Sequence, residues 1–141
     1  MSDTFSCTLC PRACRIDRTQ KTGYCGMKST VRVARVDLHP WEEPPISGTK
    51  GSGTVFFSGC PLRCVFCQNR VISHDGGGRT VTVEVLAASM LSLQERGAHN
   101  LNLVTGTQFV PAILDALRMI RSELTIPVVW NTGGYETEET V

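Results

Sequence analysis

The chain has 141 residues, 41% of them hydrophobic and 19% charged, a globular composition that excludes a disordered or fibrous chain. Fourteen basic and thirteen acidic residues leave a net charge of +1, and residues 1–50 and 51–141 differ only mildly, at +3 and −2, so neither a nucleic-acid nor a membrane surface is expected. No apolar run approaches the roughly 20 residues that span a bilayer, and Met1-Ser2-Asp3-Thr4-Phe5 lacks the basic and apolar regions of a secretory signal, so a soluble, cytoplasmic chain is expected.

Residues 7–28 gather Cys7, Cys10, Cys14 and Cys25 among polar and basic side chains. Large apolar residues are too few there to build a core, so a metal staple is expected, with zinc in a structural role or iron in an electron-relaying one. Val31-Arg32-Val33-Ala34-Arg35-Val36 alternates as a half-buried strand does. His39 to Gly48 holds three prolines and reads as extended and turn-rich. An organisational boundary falls near Gly48–Gly53, dividing a cysteine-rich segment with its linker (1–50) from the remainder (51–141).

Beyond the boundary, strands and helices alternate. Thr54-Val55-Phe56-Phe57 is a buried strand. Residues 83–96 form a helix with Thr82 as N-cap, Gly97 as stop, and Leu86, Met90 and Leu93 as its inner stripe. Leu101-Asn102-Leu103-Val104 is the next strand. Gln108–Ser122 form a helix with Pro111 in the opening turn and Ile113, Leu117 and Ile120 on one face. Val128-Val129-Trp130 is a third strand, Thr137-Glu138-Glu139-Thr140 opens a third helix, and the acidic run Glu136–Glu139 reads as a helix start with a solvated face. The fold class expected is α/β, a parallel βαβαβ arrangement. Ser58-Gly59-Cys60, Thr105-Gly106-Thr107 and Asn131-Thr132-Gly133-Gly134 each follow a strand, so all three should meet at one edge of the sheet, where α/β chemistry collects.

The seven cysteines divide as four and three. Four thiolates can close a metal site, whereas three leave one position open. Cys60, Cys64 and Cys67 stand at C-x3-C-x2-C spacing, which suits three irons of a cubane or a zinc site completed from afar, for instance by His74. Gly76-Gly77-Gly78 lacks the lysine of a phosphate loop and reads as a flexible connector. His39, His74 and His99 read as solvated or capping residues, and Trp41 and Trp130 as packing residues.

The run from Gly53 through Cys60-Pro61-Leu62-Arg63-Cys64-Val65-Phe66-Cys67 to Asn69 resembles the cluster loop of radical S-adenosylmethionine (radical SAM) enzymes. More narrowly, together with Cys7-Thr8-Leu9-Cys10-Pro11-Arg12-Ala13-Cys14, Gly23-Tyr24-Cys25-Gly26 and Glu43-Pro44-Pro45-Ile46-Ser47-Gly48, it resembles the pyruvate formate-lyase activating enzyme-like branch. The resemblance implies a [4Fe–4S] cluster on Cys60, Cys64 and Cys67, S-adenosylmethionine on the fourth iron, and Phe66 beside the adenine. It implies a partial (β/α)6 barrel, a flavodoxin or ferredoxin as electron donor, and a glycyl radical enzyme as substrate. Relatives carry a Gly-Gly-Glu-type motif after the second strand; here Thr105-Gly106-Thr107 stands there without a carboxylate, and Asn131 resembles a polar cofactor-contacting position. Three strands and two full helices are half of such a barrel, so a longer protein, of which this is the N-terminal part, is expected. A non-catalytic zinc-binding interaction module is the alternative.

Overall fold

A computed structural model of the chain describes residues 6–141; the reading of Met1–Phe5 lies outside them. The fold is α/β, built on one five-stranded mixed sheet in the order β3-β1-β2-β4-β5. Its strands are β1 (Arg32–His39), β2 (Ser52–Phe57), β3 (Arg79–Thr80), β4 (Leu101–Val104) and β5 (Val128–Asn131). The three expected strands after the boundary are parallel to one another, with β2, β4 and β5 in register: Gly53 beside Leu101 and Val128, Phe56 beside Val104 and Asn131. Their C-terminal ends are therefore level, and the loops that follow leave one edge of the sheet.

The sheet extends further on the other side, where no pairing was expected. β1 pairs antiparallel with both β2 and β3, so the sheet crosses the boundary expected near residues 48–53. The expected strand at 31–36 runs on to His39, because pairing with β2 extends it past the alternating residues. β3, with two residues, is too short to carry a period. Within the linker, Pro44–Ser47 make one helical turn, α1, where extended chain was expected; proline is accepted in a first turn because its missing N–H has no partner there. A second short turn, α2, covers Arg70–Ser73. Gly76–Gly78 are a packed turn rather than a loose connector: Gly77 donates to the Val71 carbonyl at 2.9 Å and accepts from Ser58 Oγ at 2.7 Å.

Helix α3 (Val83–Glu95) starts as expected, with Thr82 Oγ1 accepting from the Val85 amide, and stops before Gly97, which has a φ of +86°. The second long helix is shorter than expected: Thr107–Phe109 form a 3-10 turn before α4 (Val110–Met119). Glu138–Thr140 make only a 3-10 turn. Leu86, Met90 and Leu93 of α3 and Ile113 and Ala116 of α4 are buried with Val55, Phe57, Leu101 and Leu103 in one core. Strand alternation turns Phe56 and Val104 to the opposite face, where both are half-buried. No helix among the described residues is long and apolar enough to cross a membrane.

Gly53 faces the α3–β4 turn, where an added Cβ would lie 2.9 Å from the Asn100 carbonyl oxygen and 2.8 Å from Ala98 Cβ. Backbone on one side and a packed helix on the other leave no room to yield. Gly53→Ala is expected to lower the unfolding free energy by about 1–3 kcal/mol, read as a lower urea midpoint.

Candidate functional site

The loop after β2 turns at Gly59, whose φ is +78° and whose missing side chain lets the backbone pass Met27 and the Cys25 carbonyl, 2.6 Å from an added Cβ. The Cys60 amide then donates to that carbonyl at 3.2 Å. Arg63 takes a left-handed φ of +50°, and the Cys67 amide closes a turn onto the Cys64 carbonyl. Cys60, Cys64 and Cys67 are all half-buried in this loop. Ser73 of α2 donates to Cys67 Sγ at 3.3 Å, a contact that steadies a thiolate. The donor set fits an iron–sulfur cluster: three soft sulfur ligands on one tight loop, with no thiol to spare for a fourth position. Among the described residues, no three His, Cys, Asp or Glu side chains stand in coordinating geometry.

Beside this loop lies a cleft of about 580 Å³, within the range of small-molecule sites. The strand ends supply Phe56, Val104, Thr105 and Asn131, the cluster loop supplies Gln68 and Asn69, and Trp41 and Glu42 form its rim. Trp41 is 85% exposed, so it is not the packing residue expected from sequence. Of the expected cofactor residues, Thr105 and Asn131 share this cleft, and the Thr105 amide donates to the Asn131 carbonyl at 2.9 Å. Phe66 does not line it and is 86% exposed. Gly106 is buried against Trp130 and Ile113. Thr107 is also buried, and its Oγ1 donates to Glu136 Oε1 at 2.6 Å; Thr132 Oγ1 donates to the same oxygen. Glu136 therefore brings to the Thr105–Thr107 loop the carboxylate that loop lacks. Its place after β5, at the head of an acidic run, disguised it as a helix-start residue.

The N-terminal cysteines gather behind the cluster loop. Cys7, Cys10, Cys14 and Cys25 line one small cavity together with Arg18, Thr107 and Gln108. Burial pushes the Cys10 and Cys25 thiols up, and Cys7 and Cys14 add to the rise at both, while the Arg18 charge opposes it at Cys25. Ala13 and Arg15, on either side of Cys14, have φ values of +41° and +51°. Arg12 ties this segment to the cluster loop, donating to the Pro61 carbonyl at 3.4 Å and stacking on Tyr24 at 4.0 Å. Gln108 was read from sequence only as the first residue of a helix. It is 3% exposed, and its Nε2 donates to the carbonyls of Ser58 (2.8 Å), Thr105 (2.9 Å) and Gly59 (3.1 Å).

The family model of the radical SAM superfamily matches residues 54–141. The chain is also similar to an uncharacterized protein of Methanocaldococcus jannaschii, 30% identical across 95% of this chain. It spans about 40% of the length of that curated relative. No solved structure matches the chain.

Replacing Gln108 by leucine keeps the volume and removes both donors, leaving three carbonyls at the strand ends short of a partner. Gln108→Leu is expected to cost about 2–3 kcal/mol of stability, measured by urea unfolding. Gln108→Leu with wild-type stability would show that the carboxamide carries no weight in holding this edge.

Proposed function

The chain belongs to the radical SAM superfamily, and on that premise we propose that Cys60, Cys64 and Cys67 hold a [4Fe–4S] cluster for the reductive cleavage of S-adenosylmethionine. When bound, the cluster and S-adenosylmethionine supply a 5′-deoxyadenosyl radical that abstracts a hydrogen atom. The observation that supports the reading is the level register of β2, β4 and β5, with Thr105 and Asn131 lining one cleft beside Gln68 and Asn69, the two residues that follow Cys67.

The residues of this chain bind and orient. Cys60 is held by its amide on the Cys25 carbonyl, and Cys67 by Ser73. Thr105 and Asn131 offer polar groups to a ligand in the cleft. Glu136, held by Thr107 and Thr132, is the carboxylate available to an ammonium group at the strand ends. The other half of the resemblance follows as part of the same reading: a partial (β/α)6 barrel, a reduced flavodoxin or ferredoxin as electron donor, and a glycine of a glycyl radical enzyme as the site of hydrogen abstraction. A reducing, cytoplasmic setting keeps all seven thiols free for these roles.

Anaerobic reconstitution with iron and sulfide is expected to give a brown protein that bleaches with dithionite. Cys60→Ala, Cys64→Ala and Cys67→Ala should each abolish that absorption, because two thiolates do not retain a cubane in water. Cys7→Ala and Cys25→Ala should leave it largely in place. A colourless, zinc-loaded product would favour the interaction module instead.

Glu136→Gln removes the charge and keeps the shape. It is expected to weaken S-adenosylmethionine binding to the reconstituted protein by about tenfold, the equivalent of about 1.4 kcal/mol, in equilibrium dialysis. Unchanged affinity would remove Glu136 from the ligand site.

A further inference from the structure

The cavity behind the cluster loop has a volume of about 20 Å³ and is lined by all four N-terminal cysteines, Arg18 and Gln108. A space of that size admits one water-sized atom. With the side chains as they stand, the space suits a single ion rather than the eight atoms of a second cubane.

Charge narrows the choice further. Arg18 is 6% exposed, and its guanidinium donates only to neutral main-chain oxygens: Gln108 at 2.6 Å, Lys28 at 2.6 Å and Met27 at 3.3 Å. The ion pairs among the described residues join Arg35 and Arg96 to Asp37 and Arg118 to Asp115, and none includes Arg18. A guanidinium does not lose its proton in a protein, and a buried charge without a counter-charge is costly. Neutral thiols offer none. A second unbalanced group stands on the same wall, since Gln108 Oε1 is buried without a hydrogen-bond partner.

We propose that Cys7, Cys10, Cys14 and Cys25 close around one zinc ion as a tetrathiolate centre, with Arg18 as its charge partner. Four thiolates around a divalent ion leave two negative charges, of which the buried guanidinium offsets one. The four cysteines already line one cavity, and because they do not stand in coordinating geometry without metal, binding brings their side chains together around the ion. Because the Cys25 carbonyl holds the Cys60 amide and Gly59 packs on Met27, the zinc centre is also the back wall of the cluster loop. Its ligands are distinct from the cluster cysteines, so the two assignments can fail separately.

The test uses the whole chain carrying Cys60→Ala, Cys64→Ala and Cys67→Ala together, which leaves only the N-terminal thiols to bind metal. Elemental analysis is expected to find one zinc per chain after dialysis. Cobalt in its place should show the intense red ligand-field bands and near-ultraviolet charge-transfer bands of tetrahedral sulfur coordination. Arg18→Met and Arg18→Gln, both uncharged, should each weaken zinc binding by about tenfold or more in chelator competition, with Arg18→Lys recovering part of it. No retained zinc, a pale octahedral cobalt spectrum, or a brown iron–sulfur chromophore in this variant would overturn the zinc centre. Equal zinc affinity in the uncharged Arg18 variants would overturn the charge partnership.

Discussion

The carboxamide of Gln108 lies where three segments with no covalent reason to meet come together. β2 and β4 run parallel, and where they leave the ladder their last carbonyls lose the partners a longer sheet would supply. Ser58 and Gln108 are buried, so little water is available to replace those partners. Two N–H bonds of one side chain therefore serve the carbonyls of Ser58, Gly59 and Thr105, one of them shared. The main-chain oxygen of the same residue takes Arg18 from the N-terminal segment. Without this tie, the cluster loop, the Thr105–Thr107 loop and the cysteine segment would each have to find its own position.

The distribution of backbone strain follows the same geography. Among the described residues, the non-glycine positions with positive φ are Ala13, Arg15, Arg63 and Thr105. Two flank Cys14, one precedes Cys64, and one begins the loop after β4. Each costs on the order of 1–3 kcal/mol and persists only where its surroundings over-determine it. The regular part of the fold, with its single core of α3, α4 and the inner strands, carries that cost. Rigidity at the sheet is what permits unfavourable conformations at its edge.

Much of this organisation can be read from residue order. The parallel strands show as short β-branched runs, α3 announces itself by Thr82 and Gly97, and level strand ends follow from the alternation of strands and helices. Other features leave no local mark. β1 carries the right period, but nothing in it says that it runs antiparallel against β2. Pro44-Pro45 reads as a helix breaker, yet at the head of a turn proline is tolerated. Gln108 and Glu136 are ordinary polar residues in sequence, and their importance arises only when the sheet brings Ser58, Thr105 and Thr107 to them. Phe66 differs from both: the resemblance implies a place beside the adenine, and its side chain lies open to solvent, where burial neither supports nor opposes that role.

The two margins of the sheet are unlike in a way that bears on handling the protein. At one margin β3 is two residues long, too short to template another strand. At the other, β5 has an unpaired side among the described residues, and Val128 is 44% exposed there. An apolar groove of about 240 Å³, lined by Leu114, Leu117 and Trp130 among others, runs beside it. Free backbone hydrogen-bonding groups next to an oily groove are adhesive. Self-association through this margin is the expected consequence at high concentration, and a charge introduced on the outward side of β5 is the simplest way to oppose it.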